Sequence, residues 1–332
     1  MATLKPSRYL QKLAAKLFES TDVQAQFIAA LLEPERYPEA ILWLSKGSDR
    51  NLFQTVDRLV WQPEFVDRLV PGQRPGAHAL HQAGAYYCLD FSSVFAATIL
   101  SAIEIEAPVV LDLCAAPGGK SVYSFRSLKP EILLCNEVIG KRLGALTSNL
   151  KRCSIEPVIV TNRDPAFLAE NFTAGADVVV VDAPCSGQSL LTKGQESGGC
   201  FHPATVNLNK NRQRRIIAES GKIIAPGGYL AYMTCTFSPE ENEELVKWFL
   251  KRFPQFSPCE IPKLDSFRSH LSDSPCYRLW PQQGIGAGSF AALFKNNEHG
   301  IRADYDLSEL PISFSYPESL REESKGYQRK HR

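Results

Sequence analysis

The segment Leu111-Asp112-Leu113-Cys114-Ala115-Ala116-Pro117-Gly118-Gly119-Lys120 has the pattern of a strand end, a tight turn and the start of a helix. Glycine lets the backbone approach a ligand closely and take positive φ values where a turn requires them. The segment lacks the three-glycine dinucleotide fingerprint, and it is not a P-loop because no glycine lies five residues before Gly119. It therefore favours a nucleotide-like cofactor over a simple phosphate cradle.

Short apolar runs alternate with helical patterns from residue 107 onward. Strands are predicted at 109–113, 132–136, 157–161, 177–182, 229–234 and, later, 289–294. Helices are predicted between them at 121–127, 141–152 and 212–224. The alternation is typical of the α/β class, in which a mostly parallel sheet has helices on both faces.

Length and composition limit the kind of protein that this chain can be. With 332 residues and a formal net charge of +1, it has room for one large domain or two modest ones and no global charge that attracts polyanions. Its nine cysteines include no Cys-x-x-Cys pair, which argues against a zinc cluster and a disulfide framework. No apolar segment is long enough for a membrane span, and residues 1–20 lack the apolar run of a secretion signal. We therefore expect a cytoplasmic protein with reduced thiols, no metal and no membrane partner.

The first 75 residues predict a small helical extension. Ser7 is the expected cap of one helix and Asp22 of a second, and a third helical segment includes 41–44. Residues 1–75 fit either a cap packed on the main domain or a module that docks RNA, and their composition favours the cap.

The remainder divides into a large domain and a tail. Residues 76–297 are expected to form the α/β domain, whose first helix is capped by Asp90 or Ser92. Residues 298–332 predict an irregular segment that ends in the basic tail 325–332.

Acidic residues follow the second and third predicted strands of the sheet. Glu137 comes directly after the second strand, and Asp164 lies shortly after the third. In an open α/β sheet, ligands bind beyond the carboxyl ends of the strands, and an acid after the second strand suits the hydroxyls of a ribose. Each acid alone is also typical of a solvated loop, but together with Gly118 and Gly119 they favour a nucleoside-type cofactor.

Two cysteines follow two further predicted strands at the same edge. Cys185 lies in Asp182-Ala183-Pro184-Cys185-Ser186-Gly187, and Cys235 lies in Met233-Thr234-Cys235-Thr236. A thiolate is the natural nucleophile for addition to a conjugated ring. C5 of cytosine accepts a methyl group only after such an addition at C6, which needs a proton or hydrogen bond at N3 that Asp182 is placed to supply. The alternative is a pair of buried strand-end cysteines without a chemical role.

The surrounding motifs resemble those of the Nop/Sun family of S-adenosylmethionine-dependent RNA (cytosine-5) methyltransferases. The resemblance runs from about Gly76 to Lys295. It includes Gln82-Ala83-Gly84-Ala85-Tyr86-Tyr87, Leu111 to Lys120, Glu137 to Arg142, Asp182 to Gly187, Ala225 to Tyr229, and Thr234-Cys235-Thr236 followed by Glu241-Asn242-Glu243. It implies a class I methyltransferase fold, S-adenosylmethionine as cofactor, and methylation of cytosine C5 in ribosomal or transfer RNA.

The resemblance also implies a role for each matching residue. Cys235 is similar to the nucleophile that attacks C6, and Cys185 to the cysteine that assists release of the methylated product. Asp182 is similar to the acid that contacts the cytosine near the methyl donor. Glu137 is similar to the ribose-binding acid, and Asp164 to the residue near the adenine. The residues implied to bind the cofactor are Cys114, Ala115, Ala116, Pro117, Gly118, Gly119, Lys120, Glu137, Arg142, Asp164 and Asp182.

The chain departs from the family pattern outside the cysteines and the cofactor positions. Gln188-Ser189 stands where Thr-Gly is usual, and the stretch 193–203 differs from the common form. Ser289-Phe290 replaces a Gly-Phe-Phe pattern, and the usual Arg-Val-Asn-Thr segment is missing before the linker 70–76. These departures leave the identity of the RNA open.

The place where RNA would bind is indicated only by charge and by aromatic residues. A basic cluster is typical either of a phosphate contact or of a solvated helix face. The densest one is Lys210, Arg212, Arg214 and Arg215. Tyr86, Tyr87 and Phe201 suit either stacking on a splayed base or packing in a core. A base must leave its stack to reach a thiol, so a single-stranded or flipped cytosine is expected.

Two other functions remain open on the sequence. A DNA cytosine-5 methyltransferase would use Cys185 as its nucleophile and would leave Thr234-Cys235-Thr236 unexplained. A non-catalytic, RNA-binding ribosome-assembly factor would retain the fold but would have little reason to keep Asp182 with both cysteines. The oligomeric state is likewise open.

Overall fold

The computed structural model describes residues 6–34, 37–44, 50–195, 197–305, 307, 310–318 and 320 of the 332-residue chain. Within these residues, a large mixed sheet with helices on both faces lies beside a smaller antiparallel sheet and a pair of N-terminal helices. No helix in this described part has both the length and the apolar character that crossing a membrane requires.

The first two helices are α1 (Arg8–Leu17) and α2 (Thr21–Leu32). The Ser7 side chain accepts a hydrogen bond from the N–H of Leu10 at 3.2 Å, which confirms its predicted cap. Ser20 rather than Asp22 caps α2, because its side chain accepts the N–H of Val23. The predicted Asp22 cap is wrong: this residue lies in the first turn, where its negative charge still favours the helix dipole.

A small antiparallel sheet occupies the place of the predicted third helix. Its strands are β1 (Glu39–Trp43), β2 (Val66–Arg68) and β3 (Tyr86–Asp90), in the order β2-β1-β3, and the short helix α3 (Ala79–Gln82) precedes β3. Ala40 and Leu42 pack on the main core, whereas Ile41 and Trp43 pack in a separate cluster. The helical prediction for 41–44 is wrong because both faces of this strand are buried, and periodicity cannot distinguish such an apolar run from a helix.

Five parallel strands form the centre of the large sheet: β4 (Val109–Asp112), β5 (Ile132–Asn136), β6 (Val158–Thr161), β7 (Ala176–Asp182) and β8 (Ile224–Thr234). Four more strands complete it: β9 (Phe256–Pro258), β10 (Tyr277–Leu279), β11 (Ser289–Asn296) and β12 (Ile312–Tyr316). The order is β10-β11-β8-β7-β4-β5-β6-β12, and β9 pairs with β11. The chain runs outward from β4 to β6 and returns beyond β4 with β7, so the connections reverse between β4 and β7. This topology confirms the predicted α/β class.

The helices that flank this sheet are α4 (Phe91–Ala97), α5 (Gly119–Leu128), α6 (Leu143–Arg152), α7 (Pro165–Asn171), α8 (Pro203–Ile223) and α9 (Glu243–Arg252). Val110 and Val180 pack in one apolar cluster with residues of α4 to α6. Leu111 and Val179 pack in a second cluster with residues of α7 to α9. The central strands are thus buried on both faces, as parallel strands usually are.

The C-terminal segment is not irregular throughout. Residues 312–316 form β12, which pairs antiparallel with β6. The expectation of an irregular stretch here is wrong, and the alternation of apolar and polar residues in Ile312-Ser313-Phe314-Ser315-Tyr316 was the available signal for an edge strand. The basic tail 325–332 lies outside the described residues. The boundaries at residues 75 and 297 stay predictions.

The two N-terminal helices pack against a loop at the carboxyl edge of the large sheet. Phe27 of α2 meets Phe237 edge-on, with ring centroids 5.1 Å apart. Lys16 of α1 pairs with Glu240 at 2.8 Å. Both partners belong to the loop that directly follows Cys235, so the helices support the segment that carries this thiol.

Candidate active site

The predicted site residues converge at the carboxyl edge of the large sheet, where the connections reverse. A cavity of about 480 Å³ lies there, within the usual size of small-molecule sites. Residues that the sequence singled out form much of its wall: Cys114, Ala116, Glu137, Arg142, Asp182, Cys185 and Cys235.

The turn after β4 has the tight geometry that its glycines predicted. Gly118 has a φ of +113°, a left-handed value that favours glycine, and its N–H donates to the carbonyl oxygen of Ala115 at 2.7 Å. A Cβ on Gly119 would lie 2.8 Å from Cδ1 of Leu89, which is closer than side chains tolerate. Glycine at this second position therefore lets α5 begin in contact with β3.

Glu137 and Arg142 are brought together at the wall of this cavity. The Glu137 side chain is only 3% exposed, and its Oε1 accepts the N–H of Ile139 at 2.8 Å. Its Oε2 accepts from Nη1 of Arg142 at 3.0 Å, and the same guanidinium donates to the carbonyl oxygen of Ala116. Arg142 thus ties the end of β5 to the turn after β4 and fixes the orientation of the carboxylate.

Asp164 lies at the rim rather than inside the cavity. It caps α7 by accepting the N–H of Ala166, and it pairs through both oxygens with Arg215 at 2.8 and 2.9 Å. Burial opposes ionisation, but these contacts together hold the pKa of Asp164 below its usual value. Arg215 lines the larger cavity, so this arginine connects Asp164 at the rim to the cavity wall.

Cys185 and Cys235, which are 50 residues apart in sequence, have their sulfur atoms 3.3 Å apart. A hydrogen bond from the Cys185 S–H lowers the pKa of Cys235; burial and Asp182 oppose this shift, and Lys120 and a contact with Ser189 support it. The same contact, together with burial, raises the pKa of Cys185 well above its usual value. Cys235 is therefore the thiol that ionises first, and the thiolate is the nucleophilic form.

A smaller cavity of about 180 Å³ meets the first one beside these thiols. Both cavities are lined by Asp182, Leu190 and Cys235. Lys120 lies on the wall of the smaller one, where its Nζ donates to Oδ2 of Asp182 at 3.1 Å. Because the lysine side chain is only 8% exposed, it places a fixed positive charge where the cavities join.

Glu241 holds the two cysteine loops together, a role that its position in a motif did not reveal. Its buried carboxylate accepts the N–H of Ser186 at 2.9 Å and the hydroxyl of the same serine at 2.5 Å. Gln213 of α8 donates to it at 2.9 Å. Burial raises the pKa of Glu241, although the contacts with Ser186 work in the opposite direction. Since Ser186 follows Cys185, this acid fixes the Cys185 loop against the segment after Cys235.

Gln188 and Ser189, which differ from the family pattern, also connect the Cys185 and Cys235 loops. The Gln188 side chain accepts the N–H of Phe237 at 2.9 Å and donates to the carbonyl oxygen of Cys200 at 3.0 Å. The N–H of Ser189 donates to the carbonyl oxygen of Cys235 at 3.1 Å. These two residues therefore take part in positioning the Cys235 loop.

Asp112 is a second acid that sequence reasoning passed over. It ends β4 and is fully buried, and its Oδ2 accepts the hydroxyl of Ser121 at 2.6 Å. Its Oδ1 has no hydrogen-bond partner among the described groups. Burial raises the pKa of Asp112 to about 7, against the effect of Ser121. A buried acid directly before the glycine turn was the available signal.

The aromatic residues considered for stacking lie away from the thiols. Tyr86 is fully buried and Tyr87 is 7% exposed, and both pack in apolar clusters, so the core interpretation is correct for them. Phe201 is partly buried against the cluster that α1 and α2 form.

The basic cluster of α8 is not one patch. Arg212 and Arg215 line the larger cavity. Arg214 lies over the ring of Trp248 instead, 5.2 Å from its centroid. Of the four residues in the predicted basic cluster, Arg212 and Arg215 therefore face the candidate site.

A mostly parallel sheet whose connections reverse beside a cavity at the strand ends is a doubly wound α/β fold, and class I methyltransferases have a fold of this kind. The solved structure of NSun6 from Pyrococcus horikoshii with SFG has this fold: its TM-score is 0.72 at 18% identity, over 88% of this chain and 99% of that one.

The chain belongs to the family described as 16S rRNA methyltransferase RsmB/F, whose model matches residues 97–295. The ribosomal RNA small subunit methyltransferase F of Cronobacter sakazakii is 31% identical over 283 residues, which are 81% of this chain and 58% of that protein. The protein of the same name from Klebsiella pneumoniae is 33% identical over 200 residues, 60% of this chain and 42% of that protein. The chain thus spans between 42% and 58% of the length of these relatives. Membership confirms the resemblance that the motifs indicated.

Proposed function

We propose that this protein transfers a methyl group from S-adenosylmethionine to C5 of a cytosine in ribosomal RNA, through a covalent bond between Cys235 and C6. The observation that carries the proposal is the meeting of two sulfur atoms, 3.3 Å apart, with Asp182 at the junction of two cavities. The larger cavity suits a nucleoside-sized methyl donor, and the smaller one suits a pyrimidine ring. All nine cysteines are free, as a thiol mechanism in the reducing cytoplasm requires.

The residues around the larger cavity fit S-adenosylmethionine. The buried carboxylate of Glu137 is held in place by Arg142 and is suited to accept hydrogen bonds from ribose hydroxyls. Cys114 and Ala116 of the tight turn after β4 line the same cavity and are suited to contact the methionine part of the donor. Arg215 holds Asp164 at the rim, beside the expected place of the adenine. The bound cofactor supplies an electrophilic methyl group on a positively charged sulfur.

The chain's own residues activate the cytosine. The thiolate of Cys235 adds to C6, and the electron pair of the C5–C6 double bond becomes available at C5. Asp182, as a carboxylic acid, donates to N3 the hydrogen bond that this addition requires. Lys120, 3.1 Å from Asp182, offsets the negative charge that enters the ring. C5 then takes the methyl group.

Cys185 assists the release of the product. Once Cys235 is bonded to carbon, it no longer carries a negative charge or accepts the S–H of Cys185, so the main cause of the raised pKa of Cys185 is removed. Cys185 then loses its proton to solvent, and its thiolate removes the proton from C5. The electrons of that C–H bond restore the ring double bond and expel Cys235 as a thiolate. The cytosine gains one methyl group, and one proton is released.

The test is transfer of a labelled methyl group to total cellular RNA and, in parallel, to DNA. We expect wild type to label RNA, Cys235→Ala to label nothing, and Cys185→Ala to form a nuclease-sensitive adduct that migrates slowly on a denaturing gel. Cofactor binding, measured by calorimetry, is expected to remain in both variants because neither thiol holds the donor.

Three outcomes would contradict the proposal in different ways. Loss of turnover in Cys185→Ala with turnover retained in Cys235→Ala would reverse the two roles. Labelling of DNA alone would favour a DNA methyltransferase. Cofactor binding without labelling of any RNA, including intact small ribosomal subunits and their naked RNA, would favour the assembly factor.

A further inference from the structure

A third cavity, of about 710 Å³, lies between the small antiparallel sheet and the turn that follows the Cys185 loop. We call it the flanking groove; its walls are residues 37–39, 69–74 and 88–90 together with Lys193. Asp90 and Lys193 line both this groove and the 180 Å³ cavity that contains Cys235. The flanking groove and the 180 Å³ cavity, which we propose holds the cytosine, therefore meet at these two residues.

An ion pair spans this junction. Nζ of Lys193 lies 2.8 Å from Oδ2 of Asp90, and the two side chains are 30% and 27% exposed. Asp90 ends β3 and caps α4 through its other oxygen, which accepts the N–H of Ser92. Lys193 is the last residue of the short helical segment Gln188–Lys193, which follows the loop that contains Cys185. The ion pair therefore links the small sheet to the Cys185 loop. Because both side chains are partly exposed, a ligand at the junction reaches them.

A cation at this rim is well placed to contact the phosphates of a bound RNA. A cytosine that reaches Cys235 has left its stack, so the phosphates on either side of it must pass the mouth of the cavity. Among the described residues that line the smaller cavity, the cations are Lys120 and Lys193. Lys120 is nearly buried on Asp182, which leaves Lys193 as the cation at the mouth. Arg74 is a further, exposed cation on the wall of the flanking groove.

We propose that the flanking groove holds the RNA backbone next to the target cytosine, and that Lys193 exchanges Asp90 for a phosphate oxygen when RNA binds. The inference rests on the proposed function. Asp90 then competes with the RNA for Lys193, and Glu39 and Asp90 together keep the groove from being a general polyanion site. The exchange replaces one charge-assisted contact by another, so it needs little rearrangement of the fold.

The competition predicts changes of opposite sign in two variants. Lys193→Met removes the phosphate contact, so its affinity for a short single-stranded RNA with one cytosine is expected to fall about five- to tenfold. Its slope of log affinity against log salt is expected to decrease by about 0.7, the value for one phosphate of a single strand. Asp90→Asn removes the acid that pairs with Lys193 but keeps the helix cap, since asparagine caps as well as aspartate. This variant is expected to bind the RNA about two- to fivefold more tightly than wild type. Fluorescence anisotropy over a salt series measures all three proteins.

Lys222→Met is the matched control, because Lys222 is also paired with an acid but lies at the far end of α8. We expect this variant to bind RNA as wild type does, and all variants to bind the cofactor equally. The inference is overturned if Lys193→Met and Asp90→Asn weaken RNA binding alike, which would make the pair a structural link, or if neither changes it. If wild type still methylates RNA, either of these results overturns the inference about Lys193 and Asp90 and leaves the proposed function intact. If wild type neither binds nor methylates RNA, the inference and the proposed function are both wrong.

Discussion

The cofactor side and the thiol side of the candidate site are built in different ways. On the cofactor side, Glu137 and Arg142 are five residues apart and interact with each other and with a turn that one strand end presents. On the thiol side, Cys185 and Cys235 are 50 residues apart, and buried polar side chains such as Glu241 and Gln188 hold their loops together. The Glu137–Arg142 pair of the cofactor side is thus local in sequence, although Asp164 and Arg215 on the same side are 51 residues apart. The thiol side is assembled by contacts between remote segments.

This difference predicts which substitutions each half tolerates. A local arrangement survives the loss of a distant residue, because its geometry follows from the strand, the turn and the adjacent helix. An assembled arrangement depends on every buried polar contact, since a donor or acceptor left unsatisfied in the interior costs about 1–3 kcal/mol. Substitutions that break one half should therefore leave the other nearly unchanged.

Among the substitutions that test this comparison, the largest effect is expected when the link between the thiol loops is removed. Glu241→Ala removes the acceptor of the Ser186 N–H and one partner each of the Ser186 hydroxyl and the Gln213 amide. The sulfur atoms then lose their alignment, and we expect the methylation rate to fall about 100-fold, the usual consequence of misplacing a reacting group by about 1 Å. The free energy of unfolding should fall by about 2 kcal/mol. Rate measurements and urea unfolding test this, with cofactor affinity expected to stay unchanged.

Glu240→Gln provides the control for that substitution. Its carboxylate is one residue away but 31% exposed, where it pairs with Lys16. An exposed pair contributes little, so we expect less than about 1 kcal/mol and a nearly normal rate. A cofactor affinity that falls in Glu241→Ala as much as the rate does would show that the two halves are not independent.

A smaller effect, confined to the other half, is expected for Glu137→Gln. The substitution keeps the shape of the side chain but removes the charge that pairs with Arg142 and that, in the proposed function, accepts the ribose hydroxyls. We expect the dissociation constant for S-adenosylmethionine to rise about tenfold, because a hydrogen bond to a charged group contributes about 1.5–3 kcal/mol. Calorimetry measures it, and saturating cofactor should restore most of the rate.

Glu131→Gln, which changes an exposed acid just before β5, is the comparison for that measurement. It should leave cofactor affinity as it is in wild type. Equal affinities of wild type and Glu137→Gln would contradict a ribose contact and would leave Glu137 as an internal partner of Arg142.

The smallest change expected is a shift in the pH dependence of Cys235. The attacking form is the thiolate, so its reactivity rises with pH and levels off above the pKa, which the S–H of Cys185 holds below the usual thiol value. Cys185→Ala removes this donor, so the inflection should move to higher pH. Peptide-resolved alkylation by iodoacetamide across a pH series measures it directly.

Cys185→Ser is the informative control, because its hydroxyl still donates a hydrogen bond. Its inflection should lie between those of wild type and Cys185→Ala. An inflection that stays in place in both variants would mean that Lys120, rather than Cys185, sets the ionisation of Cys235.

Sequence patterns were enough to predict the central sheet and to place the candidate residues at its edge. Parallel strands buried on both faces appear as short apolar runs, and the glycine turn has a local geometry that its residues dictate. Two wrong predictions, a helix at 41–44 and an irregular stretch at 312–316, share one cause: both strands depend on contacts with remote segments. Residues 41–44 form a strand because two separate clusters cover its faces, and β12 forms because it pairs with an edge strand far away in sequence.

Motifs and the order of the strands were enough to identify the family and the fold class and to place Cys185, Cys235 and Asp182 at one edge of the sheet, because these features depend on local patterns. The folded molecule was needed to show which thiol has the lowered pKa, how Glu241 and Gln188 join the cysteine loops, and that Lys193 and Asp90 meet at the mouth of a cavity. These properties depend on distances and burial between segments that are remote along the chain. No periodicity or local propensity encodes them.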